Sequence, residues 1–179
     1  MNIRAALKSQ YHAAMNMLKQ AVELCPDSMW ADVGPLSACK GNEHPVPFWR
    51  IVYHTLHGTD LYLQQREEDF HPWEHHRPGY EDLPWPPGSG PKILEPYTKE
   101  QLLDYWRICD EKIDAGVEKL DLDTSESGFS WHKTMSKLEH QLQNIRHIQH
   151  HTASLAARLR LAVGADVRWV RKNNEMYMP

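Results

Sequence analysis

Apolar residues recur along most of this chain at the three- and four-residue spacing of an α-helix. Between Asn2 and Cys25, the residues Ile3, Leu7, Ala14, Leu18, Ala21 and Cys25 fall on one stripe, and Pro26 stops it. A second stripe runs over about 46–68, opening on Pro45-Val46-Pro47, where proline suits a first turn. Ile51, His54, Gly58 and Leu61 share its inward face. The third covers about 98–120, with Thr98 as N-cap ahead of Glu100 and Gln101, and Leu102, Tyr105, Cys109, Ile113 and Val117 as its apolar face. The fourth covers about 132–163 and buries Leu138, Leu142, Ile145, Ile148, Leu155 and Leu159, with Gly164 as its stop.

The segments between these stripes are rich in helix breakers. Residues 26–47 form a connector with room for a helical turn around Met29 to Val33, and Asp121 to Gly128 form a polar turn. Residues 70–97 contain too many prolines for a long helix or a central strand. A loop this long carrying Trp73, Tyr80 and Trp85 is expected to pack back on the helices. With no run of alternating strands and no repeat period, the pattern predicts one all-α domain over 1–179. Its expected architecture is a four-helix bundle with a long loop between the second and third helices, a loop able to cross over the bundle.

Composition narrows the partners. The 20 Lys and Arg against 24 Asp and Glu give a formal charge of −4, which lacks the basic excess that phosphate-backbone binding requires. Nucleic acid is therefore not expected. The basic stretch Arg168 to Lys172, broken by Trp169 and Val170, is expected to be a solvated tail. Three scattered cysteines argue against a disulfide framework. No stretch is apolar enough for a membrane span, and a reducing cytoplasm is the expected compartment.

Histidine is the outlier, with 12 in 179 residues. His147 and His151 lie four apart, so on a helix their rings project from one side, one turn apart, as a chelating pair must. They sit at the border of the Ile148 and Leu155 stripe, whereas His150 turns to the wetter side. His54 supplies a third ligand from the inward face of the second helix, while His57 is rotated toward Tyr53, Asp60 and Gln64. Imidazole is the commonest side-chain ligand for divalent Zn, Ni and Fe, and three protein nitrogens leave a position open for water or substrate. A competing stripe of His140, Asn144 and His147 has nearly the same spacing.

The segments PFWRIVYHTLHGTDLYL and IRHIQHHTASLAARL resemble the two ligand-bearing helices of the DinB-like (YfiT-like) superfamily of bacterial metalloenzymes. The resemblance spans about Asn2 to Val163 and rests on one histidine in the second helix plus H-x-x-x-H in the last. Carried over residue by residue, the family's metal triad falls on His54, His147 and His151. The resemblance further implies an antiparallel bundle with a crossover, a homodimer paired through helices, and a divalent ion, Ni or Zn first, with Fe or Mn as alternatives. It also implies a metal-dependent transferase, using a low-molecular-weight thiol such as bacillithiol or mycothiol, or a hydrolase. The alternative is a non-catalytic metal-binding or stress-response helical dimer. The family often follows its last ligand with Arg-Gly-Gln, where Thr152, Ala153 and Ser154 stand here.

Other residues invite chemistry. His71, His75 and His76 are candidates for a second, loop-borne metal site or for the entrance to the first. Asp60 and Glu139 are candidates to orient a ligand imidazole or act as a base. Tyr53 and Trp106 are candidate substrate contacts, and Cys39 beside Lys40 a candidate low-pKa thiol. Phosphate-loop, dinucleotide and serine-hydrolase motifs are absent from the sequence.

Overall fold

The computed structural model describes residues 2–32, 46–83, 94–173 and 175–176. They are mostly helical, in the order α1 (Ile3–Leu24), α2 (Asp27–Trp30), α3 (Phe48–Tyr62), α4 (Lys99–Lys119) and α5 (Lys137–Val163), followed by a hairpin of β1 (Val170–Lys172) and β2 (Glu175–Met176). Local chemistry sets the limits of the long helices. The Asn2 side chain caps α1 by accepting from the Ala5 amide at 3.0 Å. Thr98 and Gln101 close a reciprocal capping box on α4, and Ser136 and Glu139 do the same on α5. Gly164, at φ 66°, ends α5 in the left-handed conformation that glycine adopts without a Cβ penalty.

Two helix limits differ from the sequence pattern. The last long helix starts at Lys137 rather than 132, because Ser136 is the cap and Glu139 its partner. The second ends at Tyr62 rather than 68, and only a 3₁₀ turn, Glu67–Asp69, follows. The reason is Lys137. Its ammonium group, fully buried, donates to the carbonyls of Gln64 (3.3 Å), Gln65 (2.6 Å) and Ser127, so the chain just past α3 is tied off by a lysine from α5. Gly128, at φ 83°, allows this: a Cβ there would fall 2.2 Å from the Gln65 carbonyl oxygen.

The four long helices pack pairwise, α1 against α4 and α5, and α3 against α4 and α5. The connections α1 to α3 and α4 to α5 therefore join helices that are not principal neighbours. The long loop between α3 and α4 instead joins two helices that touch, so it is not the segment that crosses. The predicted faces of α1 and α4 are buried, with Leu7, Ala14, Leu18 and Ala21 on one and Leu102, Tyr105, Cys109, Ile113 and Val117 on the other. On α5 the stripe is buried only in part: Ile148, Leu155 and Leu159 are in the core, whereas Leu142 is 49% exposed and Ile3 of α1 39% exposed. These two belong to a shallow apolar groove between α1 and α5, with Leu7, Leu138 and Ile145.

The described residues 167–173 do not form a free tail. Val170 is buried, the Asn173 amide donates to the Ser9 carbonyl, and Gln10 and Gln20 of α1 bond the main chain at Arg171 and Arg168. The loop after α3 does pack back, as its aromatic content suggests. Trp73 stacks on Tyr105 with ring centroids 4.5 Å apart, and the Tyr97 hydroxyl donates to the His75 carbonyl at 2.6 Å. Val33, Cys39 and Trp85 lie outside the described residues. No described helix is long and apolar enough to cross a membrane.

Candidate metal centre

α3 carries His54, and α5, packed against it, carries His147 and His151 one turn apart. The three rings converge. Their centroids are 4.9, 4.8 and 4.6 Å apart, with planes crossing at 73° to 86°, and one nitrogen of each lies within 4.8 Å of the others. The Nε2 atoms of His54 and His147 are 2.9 Å apart. Close approach of α5 to α3 depends on Gly58, one turn beyond His54. A Cβ at that position would meet the His147 Cε1 at 2.9 Å, closer than real Cβ contacts come.

The electrostatics keep the rings neutral. Burial, more than repulsion from the neighbouring histidines, holds His147 down at about 4 and His151 at about 3. Burial also lowers His54, opposed by its bond to the Glu81 carbonyl. That bond, Nδ1 to oxygen at 2.5 Å, fixes the tautomer: the hydrogen sits on Nδ1, and Nε2 presents its lone pair to the other two rings. The facing Nε2 atoms, 2.9 Å apart, share one proton when His147 carries its hydrogen on Nε2, and a cation can take that proton's place. A divalent ion with nitrogen ligands at about 2.0–2.1 Å would draw on all three lone pairs, so the donor set fits a borderline ion such as Zn or Ni. Among the described residues this is the one group of three or more His, Cys, Asp or Glu side chains that converges in this way.

A cavity of about 390 Å³ opens beside the histidines. His54, His57, Tyr62, Glu81, Trp131 and His147 are among the residues that line it. His57 was expected to point away from the site, yet it lines this cavity, and burial depresses it to about 4. Its Nδ1 and the Glu81 Oε2 are both buried and without a hydrogen-bond partner among the described residues.

Other candidates go elsewhere. His140 turns to Tyr62, Phe129 and His132, and Asn144 bonds the Thr59 carbonyl, so the competing stripe does not form a ligand set. His71 and His75 are exposed, and His76 bonds the Tyr53 hydroxyl at 2.6 Å, so the loop histidines do not converge. Asp60 is fully buried between the Tyr105 hydroxyl and the Lys112 ammonium, at 3.1 and 2.9 Å, and Glu139 is the capping-box acid; neither touches a ligand imidazole. Tyr53 is buried among aromatic rings, and Trp106 donates to the Met15 carbonyl; neither lines the cavity. Burial raises the Cys25 thiol to about 11 and lifts Cys109 as well. Glu81 was missed by sequence reasoning because its contact with His54 is made by the main chain, which leaves no mark on residue type. Trp131 was missed because residues around it read as the start of a helix.

Comparison with protein-family models, with curated proteins and with solved structures gives no match to this chain.

Proposed function

We propose that this chain is a metal-dependent enzyme of the DinB-like superfamily, a thiol-dependent transferase or a hydrolase, in which His54, His147 and His151 hold one divalent ion. One observation carries the reading: three half-buried, neutral imidazoles converge from two helices beside a solvent-reaching cavity. Three protein ligands with room beside them match an ion that also takes water or substrate, and not a closed structural site. When bound, such an ion would lower the pKa of a coordinated water or thiol and so provide a nucleophile at neutral pH. The chain's own residues do the rest. The Glu81 carbonyl orients His54, Gly58 admits His147, and Tyr62 and Trp131 give an apolar surface for a substrate body.

The pairwise helix packing, with two connections joining non-neighbours, supports the crossover bundle that the family resemblance implies. The exposed groove of Ile3, Leu138, Leu142 and Ile145 supports a homodimer formed through helices, since exposed apolar faces of this kind mark association surfaces. Ni or Zn leads the metal assignment, with Fe and Mn behind. Metal analysis of the purified protein is the direct test: roughly one ion per chain is expected, and His147→Ala should abolish it. A screen of low-molecular-weight thiols with electrophiles then separates the enzyme from a non-catalytic metal-binding dimer, for which turnover would be absent in metal-loaded protein.

A further inference from the structure

We infer that the Tyr62 hydroxyl is the ligand-orienting donor of this site, giving its hydrogen bond to a carbonyl-type oxygen of a compound seated in the cavity beside the three histidines. This deepens the metal-dependent reading and rests on it for where the chemistry occurs.

Placement comes first. His54, Gly58 and Tyr62 follow one another on α3 at four-residue intervals, so all three lie on one face of the helix. Tyr62 lines the same cavity as His54 and His147, and its ring centroid is 6.5 Å from that of His147. The ring also packs against His140 and Phe129, with centroids 4.6 and 5.3 Å away. A side chain held by such packing keeps its direction when a ligand arrives.

The hydrogen-bond count then separates this tyrosine from others in the molecule. Tyr11 donates to the Gln141 Oε1, Tyr97 to the His75 carbonyl and Tyr105 to the Asp60 carboxylate, so each spends its hydrogen inside the protein. Tyr62 does not. Its hydroxyl accepts from the Trp131 Nε1 at 3.3 Å, and its own hydrogen goes to no acceptor among the described residues. A hydroxyl has one hydrogen to give and two lone pairs, so the donor half is unused. Both residues of the bond line the cavity and neither is buried, Trp131 being 50% exposed, so the hydroxyl stays within reach of a ligand.

The accepted bond has a second consequence. By drawing density from the Tyr62 oxygen, the indole N–H makes the hydroxyl a stronger donor, as linked hydrogen bonds polarise one another. A phenol, with an ordinary pKa of about 10, keeps its hydrogen at neutral pH. It therefore suits an acceptor oxygen, and most of all one that gains negative charge, as the oxygen of an amide, ester or hydroxamate does.

The test uses full-length protein loaded with Co(II), whose visible absorption reports what enters the ion's coordination. Two probes are titrated: acetohydroxamate, which brings oxygens, and imidazole, which binds through nitrogen and has no oxygen to accept a bond. Tyr62→Phe should keep its Co(II) and its imidazole affinity, and lose about tenfold in acetohydroxamate affinity, the scale of one hydrogen bond to a charged group. Trp131→Phe removes the indole donor but leaves the hydroxyl, so a smaller loss of about threefold, again for acetohydroxamate alone, is expected. It decides the matter should Tyr62→Phe melt early. Unchanged acetohydroxamate affinity in the variants, equal losses for both probes, or no acetohydroxamate binding to the Co(II)-loaded wild type would each overturn this inference and leave the metal site standing. Wild-type protein that takes up no Co(II) would remove the metal-dependent reading itself, and this inference with it.

Discussion

Histidines sit at two helix interfaces of this molecule and are treated in opposite ways. At the α1–α4 interface, His12 has both ring nitrogens answered by carboxylates, Nδ1 by Asp110 at 2.7 Å and Nε2 by Asp114 at 3.3 Å, and its pKa is raised mainly by the Asp110 bond. At the α3–α5 interface, His54, His147 and His151 have no carboxylate ion-pair partner among the described residues, point their nitrogens at one another, and are pushed toward the neutral form by burial. An imidazole partnered by carboxylates, which hold its proton more tightly, joins helices. Neutral imidazoles grouped together keep nitrogen lone pairs available to an electrophile. The contrast fits the proposed reading, in which one interface is structural and the other holds a metal ion.

The largest effect that can break this contrast is metal removal. A ligand at a thousand times its Kd stabilises the folded state by about 4 kcal/mol, and for a chain of this size that is a Tm shift of roughly 10 °C. Chelation of the purified protein should lower Tm on that scale, and His147→Ala should start from the lowered value and not respond. Identical melting curves with and without chelator would remove the distinction between the interfaces.

Next in size is the clearance at Gly58. Gly58→Ala places a methyl 2.9 Å from the His147 ring, so ring or helix must shift, with an expected loss of about 1–3 kcal/mol and about tenfold in metal affinity. Gly116 on α4 is the control. A methyl there meets Leu63 at 3.5 Å, an ordinary contact, so Gly116→Ala should gain about 0.5–1 kcal/mol from helix propensity and leave metal binding alone. Equal effects of the two substitutions, measured by melting and by metal titration, would show that the α3–α5 approach is not special.

A third effect separates an unpartnered histidine from a ligand. His140 is fully buried with both nitrogens unpartnered among the described residues, yet it faces Tyr62, Phe129 and His132 and not the triad. Its folded pKa, about 3, lies below the ordinary 6.5, chiefly through burial. The unfolded chain therefore binds the proton first, and stability falls as the pH drops from about 6.5 toward 3. His140→Phe should raise Tm by an amount that grows on acidification, on the order of 1 kcal/mol at neutral pH, with metal content unchanged. Loss of metal in that variant would extend the site to His140.

Much of this contrast was legible in the chain itself. The stripes of α1 from Leu7 onward and of α4 match the buried faces, because each of these helices packs against two long neighbours. His54, His147 and His151 could be chosen from facing geometry because both helices are regular where they carry ligands. What failed was non-local. Lys137 sits in a polar run at the start of α5, and nothing near it in sequence shows that it binds the carbonyls just past α3. Leu142 belongs to the apolar stripe but faces the surface groove, because periodicity identifies an apolar face and not its partner. The loop's part in the site was hidden for a similar reason, since Glu81 reaches His54 through a carbonyl that every residue possesses.

The smallest effect concerns His12, where the sign of the pH dependence itself carries the comparison. A folded pKa above the unfolded 6.5 means that the folded protein holds the proton more tightly. The stabilisation from the His12–Asp110 and His12–Asp114 pairs is then complete below about pH 6.5 and is lost as the pH rises through the folded value. The pairs are partly exposed, with side-chain accessibility of 21% for His12 and 68% for Asp114, so solvent screening limits them to about 0.2–1 kcal/mol. His12→Ala should lower Tm by a degree or two near pH 6, with the gap to wild type closing toward pH 9. Raised salt should narrow the same gap at pH 6. The His140→Phe gap also grows on acidification, but there the variant is the more stable protein, so the two substitutions move Tm in opposite directions in the same buffer. A His12→Ala gap that stayed constant across this range would mean that the ring acts by packing alone, and the α1–α4 interface would lose its claim to be held by charge.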